Sequence, residues 1–444
     1  MRVSLLRLFR RFKSKQMSRA ISLMRNLEYK SLNECKQLQR DFLFNILDYS
    51  IKNVPYYTNV ARRKKIQLTK ENVFEEINKF PILTKNILKK EFKNLRAKNF
   101  SGTYFRNTSG GSTGEPAIFL QDNEYLAHNN AIREFFYNWA GRREGERLIK
   151  LWGSQDDILK GSSGIDKFYN KFIQRTLFLN SFEMSEKNMM KYIKSINKYR
   201  PKIIEAYAQS IYELAKFTHK NKLKVYSPQS IISSAGTLSE DMRNLIESTF
   251  KCKIFNRYGS REVGGIACNC EVSNNLHLNI FNHYVEILNK NMVPCKSGEV
   301  GEIYITTFHN HIMPLIRYKI GDMAVVANTP KCKCGRGIYT IKSVIGRTTE
   351  HFKKKDDSLV FAGYFRQLLY YLDWIKKYQI IQKRYNLIIY RIVLEKDAPK
   401  TDLEKIEKSV KKIMGNKCEV KFEFVKSISP SKSGKFLYTV CEIT

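Results

Sequence analysis

The chain has 444 residues, which is more than one compact core and predicts two or three domains. A hydrophobic content of 43% and an aromatic content of 12% exclude a largely disordered protein, and no apolar run approaches the roughly 20 residues that cross a bilayer. The 78 Lys and Arg residues against 42 Asp and Glu give a formal net charge of +36. Such a surplus attracts polyanions, namely nucleic acid, anionic lipid or phosphorylated substrates. The basic residues are spread along the whole chain, however, so the codon bias of an AT-rich genome explains them equally well.

The first fifteen residues, MRVSLLRLFRRFKSK, are basic, but arginines interrupt their apolar run and no small-residue cleavage site follows. No signal peptide is predicted, and nine cysteines, an odd number, do not indicate a secreted disulfide framework. We therefore expect a cytoplasmic protein. The leucines and phenylalanines of this segment fall at helical spacing, so the helix lies either on an anionic membrane, at its inner face, or on the protein's own surface.

Residues 20–100 are predicted to be helical, with turns at NVPYY and KFPILTK. Between 101 and 345, short apolar runs alternate with helical patterns, and RLIKLWG, PKIIEAYA, SIISSAG and CKIFNRYG each resemble a buried strand that ends in a small or turn residue. Such alternation predicts an α/β domain with a largely parallel sheet, whose strand carboxyl ends build the site. The runs GEIYITT and MPLIRYKIGDMAVV predict a smaller β-rich subdomain.

After VIGR the character of the sequence changes. The charged segment HFKKKDDS is followed by a strand (YNLIIYRIVLE), a helix (DLEKIEKSVKKIM), a strand (CEVKFEFV) and a loop (SISPSKSGKF). This pattern predicts a separate small α+β domain. The predicted organisation is a helical region at 1–100, a core at 101–347 and a C-terminal domain at 348–444.

Four loops are candidates for the chemistry, at residues 107–114, 256–265, 316–323 and 429–436. The first, NTSGGSTG, is typical of a phosphate cradle, because Gly lets the backbone approach an anion and hydroxyl and N–H groups point at it. It is not a Walker loop, since Glu115 follows Gly114 where that loop has lysine. In order and at these spacings, the loops NTSGGSTG, NRYGSREVGG, IRYKIGDM and SPSKSGKF resemble the adenylate-forming superfamily. The phrases NVPYYTNV, FPILTKNILKKEF and PKIIEAYAQSI, with two Cys-x-Cys pairs, resemble its phenylacetate–CoA ligase-like branch called CapK, which is found with polysaccharide biosynthesis.

The resemblance covers nearly the whole chain and implies an α/β fold: a large N-terminal adenylate-forming domain, including the β-rich subdomain, and a small mobile α+β C-terminal domain. In the superfamily the first loop holds the β- and γ-phosphates of ATP, here through Thr108, Ser109, Ser112 and Thr113. The usual ending of that loop is Gly-Lys-Pro, and Glu115 departs from it. A carboxylate beside a triphosphate is unfavourable unless it faces away or meets Mg²⁺, so other lysines would have to supply the positive charge that pyrophosphate loss needs.

By the same resemblance, Tyr258, followed by Gly259, stacks on adenine, and Glu262 binds the Mg²⁺ that spans the phosphates. The small turn that lies against the adenine corresponds to residues Ser234, Ala235 and Gly236. Taken alone, Tyr258 is better explained as an ordinary core aromatic, and it is the adjoining Gly259 and the spacing to Glu262 that favour the adenine role.

The resemblance also implies that Asp322 accepts both ribose hydroxyls and that Arg347, at the hinge, reaches ribose or phosphate. The family's Asp two residues after that arginine is absent, since Thr349 stands there, which leaves the hinge residue open. Lys435 would contact the substrate carboxylate and the α-phosphate and stabilise the charge that builds as the carboxylate attacks phosphorus. Its domain would close for adenylation and rotate for the second half-reaction. The alternatives are a simple Gly-Asp turn at Asp322 and a solvated lysine at Lys435.

A second constellation consists of Cys268, Cys270, His277, Cys332 and Cys334, five candidates for the four positions of a tetrahedral structural Zn²⁺. The alternative is that they are small buried residues in loops. Catalysis at this metal is not expected, because four protein ligands leave no open position.

Together these residues predict an AMP-forming acid ligase that uses ATP and Mg²⁺ to make an acyl-adenylate with release of pyrophosphate. The acyl group would then pass to coenzyme A or to a glycan-linked acceptor, in surface or capsular polysaccharide biosynthesis. The alternative is a catalytically degenerate relative that binds nucleotide or glycan intermediates at the membrane surface. Nucleic acid is not an expected partner, because no recognition helix, zinc finger or RNP-type motif accompanies the charge.

Overall fold

The computed structural model describes residues 15–108, 117–152, 174–181, 184–329, 332–347, 351–355, 359–362, 365–366, 368–369, 372–429 and 437–443. The chain divides into two compact units. One comprises Met1–Ser109, Ala117–Ile320 and Ala324–Val344, and the other comprises Gly110–Pro116, Gly321–Met323 and Ile345–Thr444.

The helices are α1 (Lys15–Leu27), α2 (Leu32–Asn53), α3 (Pro55–Lys64), α4 (Val73–Glu76), α5 (Lys85–Lys90), α6 (Asn123–Trp139), α7 (Glu186–Tyr199), α8 (Ala208–Lys220), α9 (Glu240–Phe250) and α10 (Lys400–Met414), with a 3₁₀ turn at Ile77–Lys79. Local sequence explains several boundaries. Ser31 and Glu34 form a capping box at the start of α2, and Pro55 occupies the first turn of α3, where its missing N–H costs no hydrogen bond. The helical prediction for residues 20–100 and its turn at NVPYY are confirmed.

The strands are β1 (Tyr104–Thr108), β2 (Ile118–Asp122), β3 (Leu148–Leu151), β4 (Thr176–Leu179), β5 (Ile203–Tyr207), β6 (Ser230–Ser234), β7 (Lys253–Ser260), β8 (Gly264–Asn269), β9 (Leu276–Leu278), β10 (His283–Leu288), β11 (Val300–Thr307), β12 (Tyr318–Val326), β13 (Thr340–Arg347), β14 (His351–Lys353), β15 (Leu359–Phe361), β16 (Ile375–Arg384), β17 (Leu387–Leu394), β18 (Glu419–Phe424) and β19 (Thr439–Cys441). The four runs predicted as buried strands are β3, β5, β6 and β7.

An eleven-stranded sheet dominates the larger unit, in the order β10-β11-β12-β13-β9-β8-β7-β6-β5-β3-β4. Strand β7 is where its character changes. The first half of β7 pairs parallel with β6, and the second half, Arg257 to Ser260, pairs antiparallel with β8. The strands of the expected β-rich subdomain, β11 and β12, therefore extend the same sheet rather than forming a separate one.

The parallel half of the sheet is covered on both faces. Side chains alternate across each strand, so Leu148, Ile203, Ile232 and Phe255 face α1 and α6 in one core. Their neighbours Ile149, Ile204, Ile231 and Ile254 face α7, α8 and α9 in another. Both faces are buried, which is why these strands read as continuous apolar runs in the sequence.

The smaller unit contains a four-stranded sheet in the order β18-β17-β16-β19. Its core includes Trp374 and Tyr390 and the apolar face of α10, from which Ile406 and Val410 are buried. Asp402 in the first turn of α10 accepts a hydrogen bond from Trp374 Nε1 at 3.0 Å, and lysines occupy the last turn, an arrangement that complements the helix dipole. The predicted strand, helix and second strand are confirmed as β17, α10 and β18, whereas β16 and β19 were not predicted. The α/β fold class with a C-terminal α+β domain is confirmed.

Within the part of the chain that the structure describes, every helix is too short or too polar to cross a membrane.

Candidate functional site

The β7–β8 turn is the centre of the candidate site. Tyr258 lies in the antiparallel half of β7, and a bulge follows it at Gly259. Gly259 is required by the close approach of the two strands, since a Cβ there would lie 2.5 Å from the carbonyl oxygen of Gly264. Tyr258 is partly buried against the core of the larger unit, which leaves part of its ring exposed at the end of the parallel strands.

Glu262 lies in the turn itself and is 5% exposed. The side-chain amide of Gln121, from β2, donates to the carbonyl oxygens of Arg261 and Glu262 at 3.0 and 3.1 Å. Lys85 of α5 places its Nζ 4.0 Å from a carboxylate oxygen of Glu262. The turn is therefore fixed from the side of β2, and a buried carboxylate with a fixed backbone offers the hard oxygen donors that Mg²⁺ prefers.

The start of the Ser/Thr/Gly loop belongs to the same arrangement. Asn107 of β1 donates through Nδ2 to Gln121 Oε1 at 3.0 Å, and its own Oδ1 accepts from the backbone N–H of Thr108 at 2.8 Å. Strand β1 ends at Thr108, so the loop departs next to the residue that fixes the Glu262 turn. Ser109, Ser112 and Thr113 lie outside the described residues.

The turn Ser234, Ala235, Gly236 follows β6 at the same edge of the sheet. Ser234 is buried and pairs with Tyr207 at the end of β5, whereas Ala235 and Gly236 are exposed. Ala235 has φ of +55°, a left-handed conformation that is uncommon for a residue with a Cβ. Such backbone conformations concentrate at functional turns.

Aromatic rings line the neighbouring strand ends. Trp152, directly after β3, has its ring centroid 4.2 Å from that of Tyr207, and the guanidinium of Arg257 lies 5.9 Å from the Trp152 ring. The carboxyl ends of parallel strands are where open α/β sheets bind their ligands.

A buried charge cluster, which the sequence analysis did not identify, joins the three strands that carry these residues. Glu205 of β5 accepts from the Tyr137 hydroxyl at 2.5 Å and forms ion pairs with Lys150 of β3 at 3.0 Å and Arg257 of β7 at 2.6 Å. Burial by itself would raise the pKa of the Glu205 carboxyl, but the Arg257 and Lys150 charges and the Tyr137 hydrogen bond hold it well below its usual range. The cluster ties together three strands and fixes the residue that precedes Tyr258.

The remaining candidates for the nucleotide site are Asp322, Arg347 and Lys435. Asp322 lies within β12, directly after Gly321, which has φ of +87°, and both belong to the stretch grouped with the smaller unit. Arg347 is the last residue of β13. Lys435 lies outside the described residues. The structure thus brings together Thr108, Tyr258 and Glu262 through Gln121 and the β7–β8 pairing, and the roles of Asp322, Arg347 and Lys435 stay predictions.

The structure groups four of the five metal-site candidates. The donor atoms of Cys270, His277, Cys332 and Cys334 all lie within 4.8 Å of one another. Cys268 is not part of this group; it packs in the core between the sheet and α6. Cys268 lies directly opposite His277 across β8 and β9, so both side chains face α6, but the Cys268 thiol is fully buried in that core.

The spacing of the four donors fits a metal rather than a disulfide. The Sγ atoms of Cys270 and Cys332 are 3.7 Å apart, far beyond the roughly 2.05 Å of a disulfide bond. Tetrahedral zinc with Zn–S bonds of about 2.3 Å places two sulfurs about 3.8 Å apart. Burial lowers the pKa of His277 to about 4, which keeps its imidazole in the neutral form that binds metals.

Around the four donors, Arg336 provides a positive charge. Its guanidinium lies 4.4 Å from the Trp139 ring centroid and pairs with Glu28 at 2.9 Å and Glu271 at 3.0 Å. Trp139 in turn contacts the His277 ring, with centroids 5.5 Å apart.

Comparison with known proteins agrees with this architecture. The family model described as the CapK C-terminal domain matches residues 352–442. Protein CapK of Staphylococcus aureus is 25% identical over 424 residues, covering 94% of this chain and 92% of that protein. The phenylacetate-coenzyme A ligase of Thermus thermophilus is 24% identical over 378 residues, covering 81% of this chain and 80% of that protein.

Among solved structures, 2-hydroxyisobutyryl-CoA ligase in the postadenylation state superposes with a TM-score of 0.72 at 16% identity, covering 94% of this chain and 91% of that one. The anthranilate CoA ligase AuaEII in complex with anthranoyl-AMP gives a TM-score of 0.54 at 14% identity. The fold is therefore that of the adenylate-forming CoA ligases. In sequence, the chain is similar to CapK and to phenylacetate-coenzyme A ligases over most of its length.

Proposed function

We propose that the protein activates a carboxylic acid with Mg–ATP, forming an acyl-adenylate and pyrophosphate. The observation that supports this most directly is the β7–β8 turn. It holds a partly exposed Tyr258 and a buried Glu262 at the carboxyl ends of the parallel strands, fixed by Gln121 beside the start of the Ser/Thr/Gly loop. Relatives that are named as phenylacetate-coenzyme A ligases support the same reaction class.

In the proposed mechanism, Tyr258 stacks on the adenine and Asp322 accepts the ribose hydroxyls. Glu262 would hold Mg²⁺, which when bound neutralises charge on the phosphates. Thr108, Ser109, Ser112 and Thr113 donate to the β- and γ-phosphates. Lys435 contacts the carboxylate and the α-phosphate, so that charge developing on the phosphoryl oxygens meets a positive charge, and Arg347 acts at the hinge.

The proposal also includes the pocket for the acid substrate and the acceptor of the acyl group. The side chains of Trp152 and Tyr207 at the strand ends would line the acid pocket. The acceptor is coenzyme A or a glycan-linked amine or hydroxyl, and the similarity to CapK supports a role in surface or capsular polysaccharide assembly.

The reaction class is tested by carboxylate-dependent exchange of pyrophosphate into ATP, with a panel of aryl, acyl, amino and sugar acids. We expect exchange with one class of acid, because adenylation is reversible while the acyl-adenylate stays bound. Equilibrium binding of ATP is measured on the same preparation. Bound ATP without exchange for any acid would contradict the proposal and favour a degenerate relative that binds nucleotide or glycan intermediates at the membrane surface.

We further propose that Cys270, His277, Cys332 and Cys334 hold a structural Zn²⁺, because three thiols and one imidazole at tetrahedral spacing are the donor set of such sites. The ion would join the β8–β9 region to the segment before β13 and would leave no position for a substrate.

Replacing Cys270 by alanine is expected to abolish the thiolate-to-metal absorption that Co²⁺ produces in the wild-type protein, because a sulfur ligand of the site is lost. Cys268→Ala is the matched control: it removes a thiol two residues away in the same strand region, and we expect the absorption to be retained. Loss of the absorption in both variants, or in neither, would contradict this assignment of the four ligands.

A further inference from the structure

A second group of metal-binding side chains lies far along the sheet from the cysteines, on the first turns of α6. Glu124, His128 and His309 each place a ligand atom so that all three lie within 4.8 Å of one another. Glu124 and His128 are four residues apart on one face of the helix, and His309 comes from the segment after β11. None of these residues has a role in the proposed adenylation.

The scaffold around the group is built firmly. Asp122 caps α6 by accepting from the backbone N–H of Tyr125 at 2.8 Å, and its second oxygen accepts from the N–H groups of His311 and Ile312 at 2.7 and 3.2 Å. Asn310 donates to the carbonyl oxygens of Leu120 and Met313. One carboxylate and one amide thus lock the His309–His311 segment onto the start of the helix.

Two of the ligand side chains are oriented by hydrogen bonds. Nε2 of His309 lies 2.9 Å from the carbonyl oxygen of Phe281, so this nitrogen carries the proton and donates it. Nδ1 is then the unprotonated nitrogen, and it lies 3.9 Å from a carboxylate oxygen of Glu124. Nδ1 of His311 lies 3.3 Å from the other oxygen of Glu124. Such outer partners of an imidazole and a carboxylate are the arrangement that surrounds protein-bound metals.

His128 supplies an unsatisfied nitrogen. Its Nδ1 is buried and has no hydrogen-bond partner among the described residues. The rings of His128 and His309 stack with centroids 3.5 Å apart and an angle of 15° between their planes. A metal ion bonded to an imidazole nitrogen at about 2.0–2.1 Å lies close to the plane of that ring. Two stacked rings cannot both meet this condition, so one ring must rotate before both can bind the same ion. His128 is the ring that can turn, because His309 is held by Phe281.

We propose that Glu124, His128 and His309 form a binding site for a divalent transition-metal ion of the zinc class, with His311 orienting the carboxylate. Imidazole and carboxylate donors suit Zn²⁺, Co²⁺ and Ni²⁺ and, unlike the cysteine group, contain no thiolate. The role of the site is structural, because α6 contacts the strand that follows the Glu262 turn. Asn129, the residue after His128, accepts a hydrogen bond from the N–H of Gly265 in that strand at 3.2 Å. A bound ion would therefore stiffen the helix turn on which that strand rests.

The test is titration of the full-length protein with Co²⁺ under reducing conditions, following heat and absorption together. We expect one equivalent of Co²⁺ with thiolate-to-metal absorption and a second equivalent without it. Glu124→Gln and His128→Ala are each expected to weaken the second equivalent by at least about 10-fold while leaving the thiolate absorption unchanged.

His219→Ala is the matched control, because this histidine is exposed near the end of α8 and far from the group. Retention of both equivalents at wild-type affinity in Glu124→Gln and His128→Ala, or binding of no second equivalent by the wild-type protein, would overturn the proposal. A circular-dichroism spectrum equal to wild type confirms that the variants are folded. Since the readout is metal binding, its outcome is independent of whether the adenylation proposal holds.

Discussion

Replacing Lys435 by alanine is expected to lower carboxylate-dependent ATP–pyrophosphate exchange by about 10²–10³-fold, the range observed when one preorganised donor to a developing oxyanion is removed. The attack of a carboxylate on the α-phosphorus places new negative charge on the phosphoryl oxygens, and a lysine ammonium at that point is a compact charge that can meet it. Equilibrium binding of ATP should change little, because the proposed adenine, ribose and phosphate contacts are made by other residues.

The matched control is Lys432→Ala, three residues earlier in the same loop and with the same loss of one charge. We expect its exchange rate to stay near that of the wild type. If both lysine variants lose activity equally, the effect comes from the general positive charge of the loop. Unchanged exchange in Lys435→Ala would remove this residue from the mechanism.

Glu205→Gln is expected to lower the free energy of unfolding of the larger unit by roughly 3–5 kcal/mol at pH 7, because it leaves Lys150 and Arg257 buried without a counter-charge. The side chains of these two residues are only 19% and 13% exposed, so water does little to compensate. The measurement is urea unfolding followed by tryptophan fluorescence in a Trp374→Phe background, where Trp139 and Trp152, both in the larger unit, report alone.

The control for Glu205→Gln is Asp48→Asn, which breaks the exposed pair that Asp48 forms with Lys52 one helical turn away in α2. Such pairs contribute about 0.3–0.5 kcal/mol. Equal stability of Glu205→Gln and the wild type would show that the buried cluster contributes nothing net.

The same cluster predicts a pH dependence. Since the pKa of Glu205 is lower in the folded protein than in the unfolded chain, its ion pairs stabilise the fold fully above the unfolded value of about 4.3. This stabilisation is lost as the pH falls from there toward the folded pKa. The difference in unfolding free energy between wild type and Glu205→Gln should thus be constant near neutrality and shrink below about pH 4.

The parts of the fold that the sequence predicted are those where local pattern and burial agree. Strands β3, β5, β6 and β7 are buried on both faces, so they appear as apolar runs, and α10 shows a clear apolar face bounded by charges. Strand β16 was missed because its sequence, IKKYQIIQKR, mixes lysines and glutamines with its apolar residues, and pairing with β17 and β19 determines its conformation.

The candidate site was predictable only where short motifs lie within one loop. The residues that fix those loops are distant in the chain: Gln121 reaches the Glu262 turn across 141 positions, and Glu205 meets partners from two other strands. A glutamate inside the apolar run PKIIEAYA indicates a buried charge, but nothing local identifies its counter-charges. The group of Glu124, His128 and His309 was missed for the same reason, although the spacing of four between Glu124 and His128 and the run His-Asn-His were visible signals.

Strands β18 and β19 lie at opposite edges of the smaller sheet, so the chain must cross from one edge to the other between Phe424 and Thr439. The chain is tethered again at Leu437, whose carbonyl oxygen accepts from Gln379 Nε2 at 2.8 Å. Gln379 belongs to β16, with which β19 pairs in parallel, so a side chain of β16 holds the chain two residues before β19 begins. This contact joins the last strand to the sheet in addition to its own backbone ladder.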